Sequence, residues 1–293
     1  MKRIVWLASY PKSGNTWMRL LLAAYQHPRD RAFELSDAFG ITRSESLRKE
    51  FALLANHSDD PDGLNLTEDD LLPLRRQVQE RLAARVSPPA VVKTHNAFVT
   101  VKGFPIIRAE VTLGAIYVVR NPLDIVDSFA DHFGVSKDQV IVSMNDPRHR
   151  IGAPAEKMVT QYLHTWSGHV RSWLDQPLFP AHVVRYEDLL DHPQMVLRNV
   201  ITFLGWRVDV DRLRQAVAET HFEKLQQRES AQGFSEISKR SKSGTFFRSG
   251  TSSHWKRSLS TQQISRVVDD HHVVMQQLDY LIDQNGLRHG KSS

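Results

Sequence analysis

An apolar run at residues 4–8 ends in Ser9-Tyr10-Pro11-Lys12-Ser13-Gly14-Asn15-Thr16, and Trp17, Leu20, Leu21, Ala24 and Tyr25 then recur at helical spacing. A buried strand that turns through a glycine into an amphipathic helix leaves few folds open. It is how an α/β unit begins, and ligands of such units sit beyond the carboxyl ends of the parallel strands. Gly14 permits a tight turn and leaves room for an anion. The N–H groups of Ser13, Gly14, Asn15 and Thr16 can then point at one phosphate, aided by the positive helix end. Ser13 and Thr16 add hydroxyls, and Lys12 adds a full charge. An ordinary strand-to-helix turn capped by serine is the plain alternative. The density of Lys, Ser, Gly, Asn and Thr favours the phosphate.

Three further runs rich in Val and Ala, at residues 90–93, 115–119 and 182–185, read as buried strands separated by helical patterns. The alternation predicts an α/β fold of three layers, with a central, mainly parallel sheet flanked by helices. Asn121-Pro122 supplies an N-cap and a first helical residue, with Ile125, Val126, Phe129 and Phe133 as the apolar face. Helices are also predicted over residues 66–86, opened by Thr67 and Asp70, and within residues 257–287, ending near Gly286.

With 293 residues, 41% of them hydrophobic, the chain can bury one large core, and we expect one domain over residues 1–293. Residues 228–253, rich in Ser, Gly and charge, read as a mobile surface loop of it. A mean hydropathy of −0.39 and the lack of a long apolar run argue against stable membrane insertion. Nothing like a secretion signal precedes the first strand, and there is no cysteine for disulfides, thiolate metal sites or a thiol nucleophile. These features lead us to expect a cytoplasmic enzyme.

The net charge of +5 is concentrated: residues 236–257 hold six cations against Glu236 alone. A local basic segment suits a small phosphorylated ligand, whereas a nucleic-acid groove spreads its charge over a face. Two motif look-alikes fail. A triphosphate loop of the Walker type needs lysine after the glycine, and here Lys12 precedes Gly14. Asp60, Asp62, Gly63 and Asp69 partly imitate a calcium loop, but no bidentate glutamate closes it.

Tyr10-Pro11-Lys12-Ser13-Gly14-Asn15-Thr16-Trp17 resembles the 5′-phosphosulfate loop of the sulfotransferases that use 3′-phosphoadenylyl sulfate (PAPS), a family with a P-loop NTPase-like fold. With Trp6-Leu7-Ala8-Ser9 before it, the segment is similar to bacterial members that act on natural products such as glycopeptides. Asn15 replaces a threonine common in animal members but still offers a side-chain donor. Further segments follow the family's order. Lys93-Thr94-His95 resembles the strand end that carries the catalytic base. Arg120-Asn121-Pro122-Leu123-Asp124-Ile125-Val126-Asp127-Ser128 resembles the 3′-phosphate motif, in which Arg120 and Ser128 would hold that phosphate. Tyr186 in Arg185-Tyr186-Glu187-Asp188-Leu189, Thr220 and Phe222 in Thr220-His221-Phe222, and Trp17 match adenine contacts. Arg248-Ser249-Gly250, followed by Trp255-Lys256, resembles the closing Arg-Lys-Gly segment. Ser249 stands where the family has a lysine, and Lys242 or Lys256 are candidates to replace that charge.

The resemblance implies sulfuryl transfer from PAPS, leaving 3′,5′-adenosine bisphosphate (PAP), to a hydroxyl or amine of a small-molecule, sugar or natural-product acceptor. His95 would be the base, Lys12 would stabilise the leaving phosphate, and Lys93 would assist at the sulfuryl oxygens. No metal is required in such a scheme, because lysine supplies the charge that magnesium supplies in kinases. The alternative is a P-loop small-molecule kinase, which needs magnesium ligands and a Walker loop. An acceptor pocket would draw on residues 33–85 and 129–166, whose Phe39, Phe51, His132, Phe133, Tyr162 and Trp166 are mostly expected in the core. A homodimer is possible.

Overall fold

A strand buried on both faces reads as a continuous apolar run. The segment Ile4–Ser9 (β1) is such a strand: Ile4, Trp6 and Ala8 join one apolar cluster, Val5 and Leu7 the opposite one, and none is more than 4% exposed. In the computed structural model, which describes residues 3–28, 30–55, 60, 62–84, 89–152 and 157–281, β1 is the centre of a five-stranded sheet. The others are Arg43–Ser44 (β2), Ala90–Thr94 (β3), Thr112–Val119 (β4) and Ala181–Arg185 (β5). Their order is β2-β3-β1-β4-β5, and every pairing is parallel. The four predicted strands are thus β1, β3, β4 and β5, but β5, expected to be buried, is an edge strand in which only Val184 is buried. The two-residue edge strand β2 is too short to carry a pattern.

Helices cover both faces. Asn15–Gln26, Pro193–Phe203 and Val210–Glu219 pack on the side of Val5 and Leu7. Glu68–Ala84, Pro122–Phe133, Trp166–Leu174 and Thr261–Gln277 pack on the side of Trp6. The helix predicted from Asn121-Pro122 starts there, with the Asn121 side chain accepting from the Leu123 N–H. Thr67 and Asp70 cap Glu68–Ala84 through reciprocal bonds of 2.9 and 3.3 Å; the predicted end at Val86 lies outside the described residues.

Two expectations change. The last helix stops at Gln277, well short of Gly286, which lies outside the described residues. Asp279 takes a left-handed φ of 56°, and the Tyr280 N–H turns back to the Met275 carbonyl at 2.8 Å, a closure that ends a helix as a terminal glycine does. In the 228–253 segment, the residues up to Gln232 belong to the helix Phe222–Gln232. The residues that follow are bonded to the body: Glu229 of that helix accepts from the Phe247 N–H, and Asp131 accepts from the Ser243 N–H and hydroxyl. Asp60 of the calcium look-alike accepts from the N–H groups of Leu64 and Asn65, the bonds of a turn. No described helix is long and apolar enough to cross a membrane.

One buried carboxylate fixes the sheet edge that matters below. Glu45, 1% exposed, follows β2 and accepts from the Thr94 hydroxyl at 2.9 Å, the Asn96 amide at 2.6 Å and Arg75 at 3.2 Å. It therefore ties the end of β3 to β2 and to the helix Glu68–Ala84. Removing one member of a buried ion pair leaves the other charged and unpaired. Glu45→Ala should cost about 3–5 kcal/mol in urea unfolding.

Candidate active site

Because all five strands are parallel, β1, β3 and β4 end at the same edge. The chain leaves β1 with β3 on one side and β4 on the other, so a crevice opens beyond their carboxyl ends. It is a cavity of about 710 Å³. Lys12, Lys93, His95, Arg120 and Ser128 all line it, although they come from three separate strand ends.

The loop after β1 is shaped by two left-handed residues, Lys12 at φ 69° and Gly14 at φ 103°. At Gly14 the glycine is needed twice over. Its φ disfavours any Cβ, and a Cβ there would lie 2.6 Å from the Tyr186 ring. The sequence suggested room for an anion; the structure adds this ring. The Asn15 amide donates to the Leu7 carbonyl at 3.0 Å and to Ser9 Oγ at 3.2 Å, so its side-chain donors hold the loop itself. Ser13 Oγ and Asn15 Oδ1 are buried with no hydrogen-bond partner among the described residues, as is Nε of Arg120. Buried polar atoms nearly always have partners, so these three suit a polar ligand against the loop.

Around the loop, cations lie on aromatic rings. Lys12 Nζ sits 4.2 Å from the Phe246 centroid, and the Arg120 guanidinium sits 4.2 Å from that of Tyr186. Trp17 meets Tyr186 edge-on at 5.9 Å and donates its indole N–H to the Thr220 carbonyl at 3.0 Å. Thr220 is buried behind Trp17, with its hydroxyl on the Ala216 carbonyl, and is not on the cavity wall. Phe222 is on the wall, and Gly250 at φ 57° lets the chain pass it where a Cβ would fall 2.3 Å from the ring.

His95 follows β3 and faces the loop. Its Nδ1 lies 2.9 Å from the Ser9 carbonyl, which can only accept, so Nδ1 carries the proton and Nε2 keeps its lone pair. Burial, with the charge of Lys93, holds the imidazolium form well below the usual histidine range, so His95 is neutral at neutral pH. The His95 carbonyl is fixed in turn by Nε2 of His169 at 3.1 Å. Lys12 is pushed down to about 8, first by burial and then by the nearby charge of Arg120.

The sequence did not single out Glu236 as a site residue. Its carboxylate accepts from the Thr16 hydroxyl at 2.6 Å, pairs with Arg19, and lies 3.9 Å from Lys93 Nζ. Burial opposes its charge, yet Lys93 and Arg19 hold the carboxyl far below the usual carboxylate range. The one signal for it was its isolation as the sole acid in the basic run 236–257.

On the β4 side, Asp127 gathers Arg248, Lys137 at 3.0 Å and His254 at 3.3 Å. Asp124 accepts from the N–H groups of Ser253 and Trp255, at 2.9 and 3.2 Å, which anchors the stretch after Gly250. Glu187 accepts from the Asn121 N–H and the Tyr280 hydroxyl. Neither Lys242 nor Lys256 lines the cavity: Lys242 donates to the Val135 carbonyl and Lys256 lies over Trp255. His254, like Ser249, lines the cavity. Of the candidate acceptor aromatics, Phe39, His132 and Phe133 reach the cavity, whereas Phe51 and Trp166 are core.

This arrangement can hold anions at the loop and at Arg120, and can take a proton at His95. The chain is 22% identical to rat Sulfotransferase 1A1, over 89% of this chain and 80% of that one. It is 24% identical to human Sulfotransferase 1C2, over 89% and 79%. In fold it is similar to mouse sulfotransferase SULT7A1 complexed with PAP, at 16% identity and a TM-score of 0.60, covering 94% of this chain and 85% of that one. A retinol dehydratase in a complex with retinol and PAP aligns over 99% of this chain and 84% of its own, at 17% identity and a TM-score of 0.59. The family model of the sulfotransferase domain matches residues 2–279, and the chain belongs to the sulfotransferase family.

Proposed function

We propose that this protein transfers the sulfuryl group of PAPS to a hydroxyl or amine of a small-molecule acceptor, with His95 as base and Lys12 and Lys93 as the charge-stabilising groups. The observation that carries the reading is the convergence of Lys12, His95 and Arg120 on one cavity from three strand ends. The unpartnered Ser13 Oγ and Arg120 Nε support the reading as groups left for the donor's 5′- and 3′-phosphates.

Each residue then has a defined task. The N–H groups from Ser13 to Thr16 bind the 5′-phosphate at the helix start. Arg120 and Ser128 take the 3′-phosphate, with Arg248 and Gly250 closing over it; the terminal nitrogens of Arg120 hold the Lys12 and Thr251 carbonyls, and its unpartnered Nε is left for the phosphate. Trp17, Tyr186 and Phe222 form the aromatic side of the nucleotide site. In the transfer, the acceptor oxygen forms a bond to sulfur as the bond from sulfur to the bridging oxygen breaks. The bond's electron pair leaves on the 5′-phosphate of PAP, and the acceptor's proton passes to Nε2 of His95. Lys12 offsets the charge that grows on the bridging oxygen, and Lys93 that on the sulfuryl oxygens. As in phosphoryl transfer, the catalysis is mostly placement and charge stabilisation.

Two measurements test this. His95→Ala should abolish transfer of sulfur label from PAPS while PAP binding, followed by calorimetry, stays within about threefold, because the base acts on the acceptor and not on the nucleotide. An active His95→Ala enzyme would remove the base assignment. The second is the pH profile of kcat/KM for PAPS, which reports groups in the free enzyme. Burial lowers Lys12, so it loses its proton, and with it the stabilising charge, as pH rises through about 8. The profile should be flat from about pH 6 to about 7.5, since His95 is already neutral there, and should fall above about 8. Lys12→Arg should move that fall to higher pH.

A further inference from the structure

The cavity wall carries eight Lys and Arg side chains against three carboxylates, a surplus equal to the formal charge of the whole protein. The surplus is not shared evenly. Five of the cations lie at the β1 loop, at its helix, at the end of β3 and on the β4 side, and all three carboxylates are among them. Glu236 faces Arg19 and Lys93, and Asp127 faces Arg248.

The remaining three, Arg43, Lys49 and Lys157, stand on one wall on the far side of β3. That wall is a built piece of structure. Arg43 and Ser44 pair with Val92 and Lys93, Leu47 bridges Met158, and the Arg48 N–H bonds the Lys157 carbonyl at 2.9 Å. Glu45 anchors it from beneath to Thr94 and Asn96, on either side of His95. Among the described residues none of the three cations has an ion-pair partner. With them the apolar Leu47, Met158, Ile151 and Phe39 line the cavity, beside the polar Thr42, Ser44 and Gln161.

The phosphate groups of the donor are served from the other side, by the β1 loop and by Arg120 after β4. We infer that Arg43, Lys49 and Lys157 form an anion subsite of the acceptor pocket, and that the acceptor is an amphiphile carrying a carboxylate or phosphate besides its nucleophilic hydroxyl. This rests on the sulfotransferase reading above. The hydroxyl lies at Nε2 of His95, the apolar body lies along Leu47 and Met158, and the anion meets the three cations. No single exposed pair is strong, but three cations lining one wall, with the cavity's carboxylates elsewhere, select for charge and do so in a salt-dependent way.

The test uses three phenols that differ only at the far end: 3-(4-hydroxyphenyl)propanoate, its amide, and 3-(4-hydroxyphenyl)propyl phosphate. PAP is titrated into the full chain first, and each phenol is then titrated into the PAP complex. At low salt the propanoate or the phosphate should bind at least about tenfold tighter than the amide, and the gap should shrink in 0.5 M salt, a concentration at which the Debye length falls to about 4 Å. In the Arg43→Ala, Lys49→Ala, Lys157→Ala triple variant the gap should fall below about twofold while PAP affinity is retained. Whichever anion is preferred identifies its source. Equal binding of the amide, no binding of either anion, or a gap that survives in the triple variant overturns the anion subsite alone. Failure of PAP to bind the wild-type chain overturns the sulfotransferase reading and this inference with it.

Discussion

Lys12, Arg19, Lys93 and Arg120 converge at one edge of a parallel sheet, and much of the surrounding structure serves to hold these cations together while partly out of water. Burying a charge is costly unless it is paired or hydrogen-bonded. Arg19 and Arg120 are only 2% and 8% exposed. Glu236 answers Arg19 and Lys93, the Tyr186 ring lies under Arg120, and the Phe246 ring lies under Lys12. Even so, Lys12 loses part of its affinity for a proton. A site kept this positive is already organised for an anionic donor, which is what a reaction governed by charge stabilisation requires.

The partners of these cations come from distant parts of the chain. Glu236 and Phe246 belong to the segment after the helix Phe222–Gln232, and Tyr186 follows β5. The same segment is held by Asp131 and by Asp124, on the helix that begins after Arg120. The nucleotide side and the covering segment are thus one hydrogen-bonded unit. On the opposite side of β1, Glu45 does the equivalent for the wall at β2, so the end of β3 that carries His95 is fixed from both directions.

Much of this is legible in the amino-acid sequence. Runs of Val, Ile and Ala bounded by helical patterns locate the four main strands. For the inner strands the reason is that a strand buried on both faces cannot be polar on alternate residues, whereas the edge strand β5 buries only Val184. Asn121-Pro122 and Thr67 with Asp70 mark helix starts through side-chain chemistry that acts over two or three residues. The end of the last helix escapes such a reading because a left-handed Asp279 closes it in place of a glycine. Thr220 was expected at the cavity and sits behind Trp17, since a residue's side of a wall is set by packing and not by its place in a motif.

The chain's own order of residues therefore dictates what is local: which segments are strands, where each ends, and which charged or polar residue stands at each end. In a parallel sheet those ends share an edge, so Lys12, Lys93, His95 and Arg120 were bound to meet. What lies opposite them is a matter of packing alone. Glu236 on Thr16 and Arg19, Phe246 under Lys12, and the cationic wall of Arg43, Lys49 and Lys157 all depend on contacts between residues remote in sequence. Such contacts leave no periodicity or spacing to read, because they are chosen by how the helices and connecting segments pack over the sheet.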